Sequence, residues 1–118
     1  MRLAIDTTVS TPPFEQVRAQ IVEAVRDGSL TAGARLSPVR TLAQELDVAP
    51  GTVARAYREL ELAGVIETRG RAGTFVAMST DPARRRIELA AEDFAAQARL
   101  VGMDPSDALA LVADALRR

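Results

Sequence analysis

Arginine is the chemically informative residue of this chain. Arg55 and Arg58 stand three positions apart in Thr52-Val53-Ala54-Arg55-Ala56-Tyr57-Arg58. Arg69 and Arg71 flank a single glycine, Gly70, and Arg40 precedes them all. A guanidinium is a planar fork of donors that pairs with phosphate oxygens and with the edge of guanine. The chain has no lysine at all, and arginine is used throughout, so its preference over lysine reflects composition; the placement of individual arginines is what carries information. Other chemistry is closed off. With no cysteine and no histidine there is no disulfide, no thiolate nucleophile, no histidine base and no zinc site of the ordinary kind. The carboxylates have no clustered partners, and neither a nucleophile–base pair nor a phosphate-cradling loop is present. An enzyme is not expected, nor a cofactor or a metal.

The elements that position these arginines follow from hydrophobic spacing. Residues 36–63 read as two helices with a tight break. Ser37 is expected to cap the first and Pro38 to occupy its first helical position, with Leu42, Ala43 and Leu46 on one face. Asp47-Val48-Ala49-Pro50-Gly51 interrupts. In the second helix Val53, Ala56, Tyr57 and Leu60 have the i, i+3, i+4, i+7 spacing of a buried stripe, which turns Gly51, Thr52, Arg55 and Arg58 outward. Two short helices with the second presenting small and basic residues is the arrangement by which a helix-turn-helix enters a DNA major groove. Many all-helical proteins contain such a pair, so the next stretch matters. Gly64 ends the helix, and residues 65–76 read as a hairpin with Val65, Ile66, Phe75 and Val76 in its strands and glycine and arginine at its tip. This is a wing, with Arg69 and Arg71 set to touch the DNA backbone or minor groove.

At 118 residues there is room for one compact domain and a small appendage. Hydrophobic content of 47% excludes a disordered chain, and with 3% aromatics the core must be built from Ala, Val, Leu and Ile. Net charge is −1, so no global basic field exists and any nucleic-acid surface must be local. From Arg35 to Val76, arginines 35, 40, 55, 58, 69 and 71 stand against acids 45, 47, 59, 61 and 67. Arg40, Arg55, Arg69 and Arg71 can share one face. Leu3-Ala4-Ile5 suggests a short edge strand, residues 14–26 a first helix stopped by Gly28, and Ala34-Arg35-Leu36 a short strand pairing with the wing. No basic-then-apolar leader and no apolar run of membrane length are present, so a cytoplasmic protein without membrane contact is expected.

Two further helices are expected beyond a linker at 77–81. Ile87, Ala91, Phe94, Ala98 and Val101 follow the alternating four-and-three rhythm of a helix-packing seam, and Leu109, Val112 and Leu116 form the stripe of the second helix. A hairpin of this size cannot bury its seam alone. It must pack on the preceding domain or on a second copy, and a reader of palindromic DNA favours the second copy, making these eight residues a dimer interface. Arg84-Arg85-Arg86 reads as a solvated helix start, with contact to DNA as the alternative. The tail is expected to form no ligand-sized pocket of its own. A small-molecule effector, which the sequence does not name, would sit between the tail helices of a dimer or at the junction with the wing.

The chain resembles the GntR family of bacterial winged-helix transcription regulators. The resemblance rests on Pro13-Phe14-Glu15-Gln16-Val17, Gly28-Ser29-Leu30, Gly33-Ala34-Arg35-Leu36 and Val39-Arg40-Thr41-Leu42-Ala43. It continues through residues 52–60, Gly64-Val65-Ile66 and residues 69–76, covering roughly residues 3–76. The short two-helix tail is similar to that of the YtrA-type subgroup, which dimerises through those helices. The resemblance implies that Arg40 contacts DNA from the second helix, that Thr52 and Arg55 lie in the recognition helix, and that Arg69 and Gly70 form a wing tip reaching the minor groove. Where the family often has proline then serine, this chain has Ser37-Pro38, which shifts the cap and its phosphate contact by one residue. Where relatives often have asparagines around the recognition-helix proline, it has Ala49-Pro50-Gly51, leaving more of the base reading to Thr52 and Arg55.

The expected architecture is mostly α with a small β wing: a winged helix-turn-helix over residues 1–78 and a two-helix dimerisation tail over 79–118. The expected function is a sequence-specific, double-stranded-DNA-binding transcription regulator, a homodimeric repressor acting on an inverted-repeat operator. Its DNA-binding residues are Ser37, Arg40, Gly51, Thr52, Arg55, Arg69, Gly70 and Arg71. The competing reading is a winged-helix protein-interaction module without specific DNA binding.

Overall fold

The computed structural model describes residues 2–118. They fall into two compact units, one ending at Met78 and one spanning Ser79–Arg118. The first contains α1 (Pro13–Arg26), α2 (Val39–Leu46), α3 (Pro50–Leu62), β1 (Ile66–Thr68) and β2 (Thr74–Val76). The strands are antiparallel, with Ile66 opposite Val76, Glu67 opposite Phe75 and Thr68 opposite Thr74. A 3-10 turn over Gly70–Ala72 joins them.

Helix α3 packs against α1, α2 and β1, because its apolar stripe is wide enough to serve all three. Val53, Ala56, Tyr57 and Leu60 meet Val17 and Ile21 of α1, Leu42 and Ala43 of α2, and Ile66 and Val76 of the wing in one core. The helical spacing of the sequence thus identifies the buried faces. Phe14, Val22, Val25 and Leu46, at the margins of those faces, are only half-buried.

Three local expectations are corrected. Residues 3–5 form no strand. Their backbone is satisfied instead by side chains of α1: Gln20 Nε2 donates to the Ala4 carbonyl at 2.7 Å and Gln20 Oε1 accepts from Ala4 N at 3.1 Å. Gln16 does the same for Asp6, at 2.9 and 2.8 Å. Ser37 is not a cap; α2 begins one residue later than expected, Pro38 sits at its N-cap, and no side chain accepts a hydrogen bond there. Residues 34–36 pair with the wing through a single bridge, Arg35 opposite Phe75, rather than a full strand. Leu36 N donates to Thr74 O, and Val76 N to Ala34 O, both at 2.8 Å.

The second unit is a pair of helices, α4 (Pro82–Leu100) and α5 (Pro105–Leu116). Both start on aspartate caps: Asp81 accepts from Ala83 N and Asp104 from Ser106 N, the usual means of satisfying first-turn donors. Gly102, at φ +70°, makes the break between them, where an L side chain would be strained. The expectation of no ligand-sized space in the tail is also overturned. Alanines 90, 91, 95, 98 and 108 are too small to fill the space between the helices, and an open apolar groove of about 900 Å³ remains. Among the described residues no helix is long and apolar enough to cross a membrane.

Candidate nucleic-acid interface

The turn between α2 and α3 is closed by backbone bonds. Asp47 takes the left-handed conformation at φ +55°, which aspartate tolerates better than most side chains. Val48 N then reaches back to Ala43 O at 3.0 Å and Asp47 N to Gln44 O at 3.3 Å, satisfying carbonyls that the end of α2 would otherwise leave open. Val48, the lone apolar residue of the turn, packs against the core. The chain is thereby redirected so that Pro50 can open α3 as its first residue.

On α3 the buried stripe leaves Gly51, Arg55 and Arg58 exposed and Thr52 half-buried. None of α1, α2 and α3 has a side-chain cap, whereas both tail helices do. First-turn N–H groups of α2 and α3 are therefore free of side-chain acceptors, a property that suits a phosphate. Arg40 lies in the first turn of α2. Arg40, Arg58 and Arg71 are exposed, with no acidic partner among the described residues. Arg55 is differently held: its guanidinium lies 3.7 Å from the centroid of the Phe14 ring, and its Nε is 3.9 Å from Glu59 Oε1. On α1, Arg18 is paired with Glu15. That pairing holds the Glu15 carboxyl below the usual carboxylate range.

Tyr57 fixes α3 relative to the start of α2. Its hydroxyl donates to the Ser37 carbonyl at 2.6 Å. Burial, with a smaller contribution from the Glu45 charge, pushes its pKa up to about 12, so it remains a donor throughout the neutral range. The Ser37 contribution recorded by the structure is thus its main-chain oxygen.

The wing tip is shaped by glycines. Gly70 and Gly73 have φ +54° and +118°, and a Cβ at Gly73 would stand 3.0 Å from Arg35 Nε. Arg69 N donates to Gly73 O at 2.8 Å to close the loop. The Arg69 side chain lies over Phe75, 4.3 Å from the ring centroid, with Nη2 2.8 Å from Glu67 Oε1. Thr68 at the end of β1 donates to Glu61 of α3, tying wing to helix.

Sequence reasoning placed Arg40, Thr52, Arg55, Arg69, Gly70 and Arg71 on their elements, and it missed four side chains around them. Spacing marks Phe14 and Phe75 as core or strand residues, and each in fact carries an arginine. Composition and pairing place Arg35 in a strand and among the local arginines but do not show that it lies against Gly73. The Tyr57 hydroxyl went unread because the spacing shows only that Tyr57 is buried; a buried phenol needs an acceptor, and that rule was the available signal.

In the tail unit, six of the seam residues, Ile87, Ala91, Phe94, Ala98, Leu109 and Val112, line the apolar groove. Ile87 and Leu109 are 68% and 70% exposed. Val101 and Leu116 lie beyond it, at the ends of α4 and α5, and both are exposed. Among the described residues no cluster of acidic side chains could hold a metal ion.

Comparison with known proteins bears on these features. The family described as "Bacterial regulatory proteins, gntR family" matches residues 13–76. The HTH-type transcriptional regulator Rv1152 of Mycobacterium tuberculosis is 47% identical over 107 residues, 91% of this chain and 88% of that protein. The HTH-type transcriptional repressor YtrA of Bacillus subtilis is 44% identical over 75 residues, 63% of this chain and 57% of that protein. Among solved structures, YtrA from Sulfolobus acidocaldarius, a GntR-family transcription factor, superposes with a TM-score of 0.61 at 32% identity, covering 80% of this chain and 95% of that one. The relatives carry the names of regulators rather than of enzymes.

Proposed function

The chain belongs to the gntR family of bacterial regulatory proteins and is a transcription regulator, and on that premise we propose that it is a homodimeric, cytoplasmic repressor that reads an inverted-repeat operator. The first turns of α3, with Gly51, Thr52 and Arg55, enter the major groove. Arg40 sets the register on a phosphate, beside the start of α2 at Ser37. Arg69, Gly70 and Arg71 follow the backbone into the minor groove. The tail supplies the dimer, through Ile87, Ala91, Phe94, Ala98, Val101, Leu109, Val112 and Leu116, so that each half-site receives its own recognition helix. The single observation that carries this reading is α3 itself. One face is locked into the core by Val53, Ala56, Tyr57 and Leu60, while the opposite face carries Gly51 and the exposed Arg55 and Arg58. Repression is supported by the name of the Bacillus subtilis relative.

The test is a titration of duplexes selected by the wild type. A bidentate Arg55–guanine contact contributes roughly 1–3 kcal/mol of discrimination, so Arg55→Ala relaxes preference at the base pairs it reads. Arg40→Ala weakens all sequences evenly and lowers the slope of affinity against salt by about one phosphate contact per subunit. Unchanged affinity and preference in Arg55→Ala would remove it from base reading.

A further inference from the structure

Only four residues of this chain are aromatic: Phe14, Tyr57, Phe75 and Phe94. Two of the three in the winged unit lie beneath an arginine of the DNA-facing set. Phe14, from the first turn of α1, supports Arg55 at 3.7 Å, and Phe75, from β2, supports Arg69 at 4.3 Å. Both rings are half-buried, with one part packed in the unit and one part available as a surface. Each supported guanidinium also has a glutamate nearby in the chain: Glu59 one turn on from Arg55 in α3, and Glu67 of β1 two residues before Arg69.

This arrangement has a physical consequence. A free arginine side chain has many rotamers and loses rotational freedom when fixed on a ligand. A ring face below the guanidinium attracts the cation and confines its plane; Arg69 Nε also donates to Glu67 Oε1 at 2.9 Å, whereas Glu59 stands 3.9 Å from Arg55 Nε as an exposed ion pair that adds little. For Arg55 the acid contact is at Nε, on the stem side of the fork. The two terminal nitrogens form a fork able to pair with guanine.

We propose that Phe14 and Phe75 are positioning residues for DNA recognition, each holding the guanidinium of Arg55 or Arg69 flat on its ring so that the fork is oriented before DNA arrives. The inference rests on the reading of α3 and the wing as a DNA surface and deepens it. It assigns a specificity-supporting role to α1, an element that touches no base in that reading. The Arg55 platform governs base preference; the Arg69 platform governs affinity without regard to sequence.

The experiment uses the full chain with Phe14→Leu, Phe14→Tyr, Phe75→Leu and Phe75→Tyr, each checked for an intact fold by thermal melting. In the DNA-free protein, proton NMR reads ring-current shifts of the Arg55 and Arg69 δ-methylenes. These shifts are expected in the wild type and in the Tyr variants, and lost in the matching Leu variant. Their absence in the wild type overturns the platform, whatever the DNA binding. The second readout is affinity for a duplex selected by the wild type from a random pool, and the preference profile obtained on re-selection. Phe14→Leu is expected to weaken binding about threefold to tenfold, to blur the same base positions as Arg55→Ala, and to add nothing when combined with it. Phe14→Tyr restores both. Phe75→Leu weakens all duplexes alike.

Wild-type preference in a folded Phe14→Leu variant, or additive losses in the double variant, would overturn positioning while leaving DNA reading intact. Failure of the wild type to select any duplex, with ring-current shifts present, would overturn the DNA reading and the positioning role with it.

Discussion

Tyr57 offers an unusually clean perturbation, because no other side chain of this protein ordinarily titrates between neutrality and pH 12. The chain has one tyrosine and no lysine, cysteine or histidine. Replacing Tyr57 by Phe removes the hydroxyl that donates to Ser37 O at 2.6 Å and leaves that carbonyl without its donor. Such a loss costs about 1–2 kcal/mol, or a fall in melting temperature of roughly 5–10 °C for a unit of this size. The pH dependence gives a sharper signature. An unfolded tyrosine ionises near pH 10, whereas Tyr57 is held protonated to about 12. Between these values the unfolded chain binds fewer protons than the folded one, so stability falls as pH rises. The contribution is fully present below about pH 10 and lost through about pH 12, on the order of 2–3 kcal/mol in all. Tyr57→Phe has no such limb. Urea unfolding across that range, with tyrosinate absorbance followed in parallel, should show the variant less stable at neutral pH and the two stability curves meeting near pH 11. Parallel curves, or a phenol that ionises near pH 10 while the protein is still folded, would refute the account of Tyr57 as a buried donor fastening α3 to the start of α2.

Other substitutions test the wing, the recognition helix and the tail. Gly73→Ala must adopt φ +118° and push its Cβ against Arg35, and a melt should show a loss of about 1–3 kcal/mol. Gly51→Ala, in the first turn of α3 with open space around it, should instead gain roughly 0.5–1 kcal/mol in the same assay. Leu109→Glu puts a charge into the apolar groove of α4 and α5. If the tail makes the dimer, sedimentation should show the dissociation constant rising by at least about a hundredfold, with the melt of the winged unit unchanged.

Much of this architecture was legible in the sequence because it depends on period. Val53, Ala56, Tyr57 and Leu60 announce a buried face by spacing alone, and they are buried. Gly64 and Gly102 mark helix ends because their positive φ admits few other residues. What spacing does not encode is which side chain satisfies a neighbour far along the chain. Leu3-Ala4-Ile5 has strand composition, yet Gln20, sixteen residues away, takes both backbone groups of Ala4. Ser37 has the composition of a cap, but α2 starts after Pro38. The exposure of Arg55 on α3 was legible from the spacing of the buried stripe. The support of Arg55 by Phe14 was not, because that contact joins α1 to α3 only once Val17, Ile21, Val53 and Ala56 have packed.

The measurement that tests the central claim most directly is selection of bound duplexes from a random pool, with the binding of the recovered sequence repeated at two salt concentrations. The account predicts an inverted repeat, two half-sites each read by one α3, with affinity falling steeply as salt rises because several arginines displace counterions. An unenriched pool with salt-insensitive binding would contradict it and favour a winged-helix surface that engages protein instead.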